Sequence, residues 1–239
     1  MNSAPAESTA DIDFLAWLEV NKQRLIYGVG GAIVVGFGLW SFLTMKAQKE
    51  NVASAELLKI QMASSMAEQP TSPPASVYSE FMKKHAGTRA AERAMLLAAD
   101  AAFTEQKFAE AQNLFEQFRK DYPSSPLVGQ AAYGVGASLE AQKKTAEATA
   151  VYQDVVTRFA GTSLAGQTKL SLARMHEASN KPQEALKLYE ELSSGTSFSS
   201  WTSEAAAKKD ALLAKHPELV SLKPATNAAP TEIKAGPEK

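Results

Sequence analysis

Residues able to do acid–base, nucleophilic or metal chemistry are few in this chain and poorly spaced for it. The three histidines, His85, His176 and His216, lie tens of residues apart. None has a second histidine or a carboxylate at the spacing that presents a metal ion with two ligands from one face. Each reads as a surface or helix-end histidine. There is no cysteine, which removes disulfides, thiolate metal sites, a sulfur nucleophile and lipid attachment at an N-terminal Cys together. No GxSxG, HExxH or paired-carboxylate motif occurs. The glycine-rich stretch Gly28–Gly38 lies inside an apolar run, not after a strand where it would cradle phosphate. Glu110, Glu147 and Glu184 recur at one position of a repeat, which suits solvated helix starts better than catalytic acids. The residues predict no enzyme, no metal, no cofactor and no small-molecule substrate.

Charge narrows the partners further. Lys and Arg number 25 against 26 Asp and Glu, so the chain as a whole has no field to hold nucleic acid or an anionic surface. Abundant Ala, with Gly and Pro confined to a few places, favours helix over strand. The mean hydropathy of −0.22 hides one segment unlike the rest.

That segment is Leu25–Met45, an uncharged run. As a helix rising about 1.5 Å per residue it spans roughly 30 Å, the thickness of a bilayer hydrocarbon core. Lys22 and Arg24 precede it, Lys46 and Lys49 follow it, and Tyr27 and Trp40 sit toward its ends, where amphipathic rings favour the interface. A cleaved signal peptide fits poorly, because Met1–Glu19 carries four acidic residues and no Lys or Arg, opposite to a basic leader. A buried core helix fits poorly too, since the glycines common in membrane spans weaken a helix in water. Gly28, Ala32 and Gly36 form a small-residue stripe that permits close approach of a partner helix, or simply reflect ordinary glycine usage in a span. Positive charges on the two flanks do not decide orientation. Ile12, Phe14, Leu15 and Leu18 before the span suit either a short interfacial helix or the first turns of a longer anchor.

Beyond the span the sequence repeats. Phe108–Phe118, Thr145–Val155 and Pro182–Leu192 align, with Ala111, Ala148 and Ala185 spaced by 37 residues. Four positions on stand Phe115, Tyr152 and Tyr189, and three further stand Phe118, Val155 and Leu192. A degenerate copy, Ser76–Thr88, matches Ala150–Thr162 at two periods, pairing Tyr78 with Tyr152. Each unit predicts two antiparallel helices, the small alanine admitting a close neighbour and the aromatic covering the next turn. A hairpin cannot bury both faces alone, so neighbours must stack. Pro70–Pro74 reads as the first turn, after a leading helix from about Ala47 to Met66. Asp121–Pro126 reads as a turn capped by serine, and Ala86–Thr88 and Ala160–Ser163 as turns using glycine. After Leu192 the pattern stops. Ser193–Ser200 reads as a loop, Ser203–Lys215 as an amphipathic capping helix, and Pro217–Lys239 as a disordered tail.

Ala111, Phe115, Phe118 and Pro123 resemble the second helix of the tetratricopeptide repeat (TPR), which carries Ala, then an aromatic four on, an apolar residue seven on and Pro twelve on. The other copies keep the first three positions and replace Pro with Ala160 and Ser197. The resemblance implies an all-α, TPR-like solenoid of about four hairpins. It also implies a concave partner groove at Arg93, Leu96, Asp100, Phe103, Tyr133, Ala137, Glu140, Leu170 and Arg174, where Leu96, Phe103 and Leu170 equally suit packing between hairpins. The carboxylate clamp of chaperone-binding TPR domains is absent, since Leu96 and Asp100 stand where it needs Lys and Asn.

A short acidic N-terminus, a span near residue 25 and irregular TPR-like hairpins are together similar to the YfgM family of ancillary SecYEG translocon subunits. Comparable hairpins occur in the cell-division coordinator family of CpoB. The division expected is residues 1–24 as an N-terminal segment, 25–45 as transmembrane helix, 47–200 as repeat domain, 201–216 as capping helix and 217–239 as tail. The resemblance implies a single-pass inner-membrane protein with a periplasmic C-terminal domain. Its partners would be the lipid bilayer and proteins: translocon subunits, a periplasmic chaperone or exported chains. Tethered envelope-assembly or division scaffolds share the same signature.

Overall fold

The computed structural model of the chain describes residues 9–66, 72–194 and 200–220. Among these the order is α1 (Thr9–Ser65), α2 (Ala75–Lys84), α3 (Arg89–Thr104), α4 (Phe108–Asp121), α5 (Val128–Ala141), α6 (Thr145–Arg158), α7 (Ser163–Ala178), α8 (Pro182–Ser193) and α9 (Ser200–Lys215), then a 3₁₀ turn, Pro217–Leu219. No strand occurs among the described residues. Helices α1, α3, α5, α7 and α9 form one layer, each touching the next, while α2, α4, α6 and α8 make the second. This is the all-α, TPR-like solenoid that the repeat predicts.

The repeat positions are the contacts that hold the layers together. Ala111, Ala148 and Ala185 are fully buried, as are Tyr152, Tyr189, Phe118 and Val155. Across from them the inner helices present Ala94, Ala131, Thr168 and Ala205, again 37 residues apart and without exposed surface. Tyr78 and Phe81 fill the same role in the degenerate copy. One close approach lies between α5 and α6, where a Cβ on Gly136 would come within 2.5 Å of the Tyr152 ring. Only glycine lets that aromatic lie flat on the helix.

Turn chemistry repeats with the same period. Helices α3, α5 and α7 each end on a residue in the left-handed region: Gln106 (φ 62°), Lys143 (φ 64°) and Asn180 (φ 55°). The next amides, of Lys107, Lys144 and Lys181, donate back to Ala102, Leu139 and His176 at 2.8, 2.9 and 2.8 Å. This bonding closes the helix with a Schellman turn. At the opposite end of the hairpins Gly87 and Gly161 take φ of 81° and 78°. Thr88 and Thr162 then cap the following helices by accepting the Ala91 and Ala165 amides. Between α4 and α5, Pro123 follows the helix end, and Ser125 accepts the Leu127 amide while donating to Glu92.

Helix α1 departs from the expected division. The span and the leading repeat helix expected from about Ala47 are a single uninterrupted helix. The charged stretch Lys46–Glu50 lowers hydropathy, but Lys, Ala, Gln and Glu are all strong helix formers, so the backbone carries on. The helix already runs from Thr9, as the reading of a longer anchor requires. Beyond Glu50 one face is buried through Ala53 and Leu57, with Ile60 packed against the same cluster. Below it, Ile26, Tyr27, Ile33, Val34, Phe37, Trp40 and Leu43 are all exposed, on every side of the helix. It is one helix long and apolar enough to cross a membrane, with none of its apolar window buried.

The C-terminal end also differs from expectation. Helix α9 starts 37 residues after α7, so it is the inner helix of a further unit, not an addition outside the repeat. Leu212 is buried in it at the position that Met175 takes in α7. The tail expected from Pro217 begins instead with a 3₁₀ turn whose Leu219 is buried beside α9. The remainder of that tail, residues 221–239, most of the loop at 195–199 and part of the first turn at 67–71 lie outside the described residues.

Candidate functional site

Stacking inner helices at a constant offset leaves a furrow along their shared face. One recess in it holds about 450 Å³ and is lined by Asp100 and Phe103 from α3, Gln130 and Tyr133 from α5, Gln167 from α7 and Trp201 from α9, among others. Asp100, Phe103, Tyr133 and Ala137 are therefore brought together, as the groove alignment expects. Phe103 and Tyr133 are half-buried, and Asp100 remains open to solvent. The cleft walls strip water from the Asp100 carboxyl without covering it, and this desolvation raises its pKa.

Seven further lining residues were not among the expected groove positions: Phe115, Gln130, Gly134, Ser163, Leu164, Gln167 and Trp201. Gln130 and Gln167 sit 37 and 74 residues after Arg93, so extending the period from that position would have found both. Leu164, which also lines the recess, and Trp201 share a register by the same spacing. Trp201 lies against Gly166, where a Cβ would stand 2.8 Å from the indole Nε1.

The other expected groove residues are not in this recess. Leu96 and Leu170 are buried and pack in the core, the alternative that the sequence left open for them. Arg93 lies beside the α4–α5 turn, in a separate depression with Asp121, Tyr122 and Ser125. Glu140 accepts the Tyr152 hydroxyl at 2.9 Å. Arg174 donates to Ser171 at 3.3 Å, and Ser171 in turn bonds the Tyr133 hydroxyl at 3.1 Å. That chain steadies one wall of the cleft. Gly28, Ala32 and Gly36 lie on the exposed lower part of α1, and a Cβ on either glycine would meet nothing within 4 Å.

The histidines require one correction. All three stand at or near helix ends, but two have a carboxylate beside them. His216 Nδ1 lies 2.9 Å from Glu218, and His85 Nε2 lies 3.0 Å from Glu56, 29 residues upstream on α1. Lys84 joins the same carboxylate at 2.8 Å, and hydrogen bonds from Lys84 and then His85 hold the Glu56 pKa below its ordinary value. These are structural ties between helices. No group of three potential metal ligands occurs among the described residues.

Comparison with known proteins agrees with the architecture. Residues 16–127 match the Tetratricopeptide repeat-like domain family, and residues 96–163 match the Tetratricopeptide repeat family. No curated protein matches the sequence. Two crystal structures of the nearly identical TPR-like repeats of a Podosopora anserina protein assigned as a kinesin light chain, one of them a substituted form, superpose with a TM-score of 0.51. They share 15% and 16% identity, covering 73% of this chain and 89% and 90% of theirs. Likeness at this identity concerns the fold. The chain is thus built of TPR-like repeats, a scaffold fold that presents its surface to protein partners.

Proposed function

We propose that the chain is a membrane-anchored scaffold that holds an extended segment of a partner protein along its inner helices. The observation that carries this reading is the cleft between Asp100, Phe103, Tyr133 and Trp201. Exposed aromatic surface there offers apolar contact, and the Gln130 and Gln167 amides offer donors and acceptors to a peptide backbone. Asp100, with its raised pKa and no ion pair among the described residues, favours a basic side chain in that segment. The exposed apolar length of α1 supports the anchor. The similarity to the YfgM family supports a place beside the bacterial translocon, with the solenoid in the periplasm and exported chains or a periplasmic chaperone as the occupant.

Two measurements test the reading. A photo-crosslinking residue placed at Phe103 or Tyr133 in the full chain should capture translocon subunits, exported chains or a periplasmic chaperone. The same residue at exposed Glu116 on α4, which belongs to the opposite layer, should not. A reporter active only in the periplasm, fused after Lys239, should be active. Capture of division proteins without any translocon subunit would transfer the scaffold to cell division, and a reporter active only in the cytoplasm would end the translocon reading.

A further inference from the structure

We propose that a recess where α1 leaves the apolar span binds the headgroup of an anionic phospholipid. The inference rests on the anchor reading above. The recess holds about 380 Å³ and is lined by Met45, Lys49 and Val52 of α1 together with Lys84, His85 and Thr88 around the α2–α3 turn.

Depth follows from helix geometry. Met45 ends the apolar run, and at about 1.5 Å per residue Lys49 stands roughly 6 Å beyond it. The headgroup layer occupies about that distance on each side of the hydrocarbon core. The solenoid is held at this level, because Glu50 bonds the Arg89 and Ala90 amides at 2.7 and 3.0 Å. The α2–α3 turn is therefore at phosphate depth whenever α1 spans a bilayer.

Charge suits the occupant. Lys49 and Lys84 line the recess and Lys46 stands about one turn before Lys49 on α1, against Glu50 and Glu56 of the same helix, a local positive excess in an otherwise balanced chain. Both carboxylates are already engaged, Glu50 by backbone amides and Glu56 by Lys84 and His85. Lys46 and Lys49 are exposed and free to meet a phosphate. Met45 and Val52, 58% and 60% exposed, give the recess apolar edges. A soluble anion would leave these in water, whereas the glycerol and upper acyl carbons of a lipid cover them.

The test uses the full chain in nanodiscs of phosphatidylcholine with and without phosphatidylglycerol, with retained lipid counted by native mass spectrometry after release. The wild type should retain phosphatidylglycerol over phosphatidylcholine. Lys46→Gln with Lys49→Gln should weaken that preference by about fivefold for each lysine neutralised. Lys59→Gln, further along the same helix, should leave it unchanged. All three chains should keep the same helix content. Equal retention of the two lipids, an unchanged preference in the double variant, or full displacement by inorganic phosphate would each overturn the proposal while leaving the anchor intact. Failure to insert into neutral bilayers would overturn the anchor and this proposal together.

Discussion

The carboxylate of Glu50 on α1 accepts the backbone amide of Arg89, the first residue of α3, at 2.7 Å, and takes the Ala90 amide at 3.0 Å with its other oxygen. Thr88 takes the Ala91 amide, so the helix start is fully satisfied by residues from two different segments. A carboxylate there also meets the positive end of the helix dipole. Glu50→Ala should cost about 1–2 kcal/mol. Hydrogen exchange at the Arg89 and Ala90 amides should accelerate about tenfold, while Ala91 keeps its protection. Unchanged exchange at both amides would mean that α1 does not brace the solenoid.

The outer helices are legible in sequence because close crossing makes strict demands. A small residue, an aromatic four on and an apolar residue three further must return wherever such helices meet, as at Ala111, Ala148 and Ala185. The inner layer makes a weaker mark. Its matching position holds Ala94, Ala131, Thr168 and Ala205, small residues that are common in any helix and give no contrast. That is why α9 reads as a cap on the last hairpin, and why Gln130 and Gln167 carry no mark of the cleft in the sequence. Continuity of α1 was hidden for a different reason. Hydropathy falls at Lys46–Glu50, yet these residues are good helix formers and the backbone carries on. The contact of Glu56 with His85 joins residues 29 apart, and only packing creates it.

Tyr152 donates its hydroxyl to Glu140 at 2.9 Å, and Tyr189 repeats the bond to Glu177 at 3.2 Å. Burial, and then the neighbouring carboxylate, raises both phenol pKa values. The unfolded chain loses these protons from about pH 10, whereas the folded chain keeps them. Their stabilisation is therefore complete at neutral pH and falls as pH rises past that point. Tyr152→Phe should cost about 1 kcal/mol at neutral pH and flatten the alkaline decline. Urea midpoints on either side of about pH 10 check both, and an equally steep decline in the variant would refute the assignment.

Leu212 is 1% exposed and belongs to a second apolar cluster, made by α7, α8, α9 and Leu219. In a stacked array each unit leans only on its neighbours. Leu212→Ala should cost about 2–5 kcal/mol, concentrated at the C-terminal end. Amides of α8 and α9 should lose exchange protection while those of α3 and α4 keep theirs. Uniform loss along the chain would show the solenoid unfolding as one unit.

Asp100 tests whether the cleft is shaped for recognition at some expense to stability. Desolvation raises its pKa, so the ionised form is the one the fold disfavours. That penalty is present at neutral pH and disappears as pH falls through the folded pKa. Asp100→Asn keeps the shape and removes the charge, and should stabilise the chain by less than about 1 kcal/mol because solvent still screens the group. Phe103 and Tyr133 remain in place in that variant, so its apolar contacts are intact. Crosslinking yield from Tyr133 should nevertheless fall, because a basic side chain in the partner segment would lose its counter-charge. A variant that is both more stable and equally able to capture partner would assign Asp100 no part in recognition. A fall in capture with unchanged or higher stability ties the carboxylate to the partner and not to the fold.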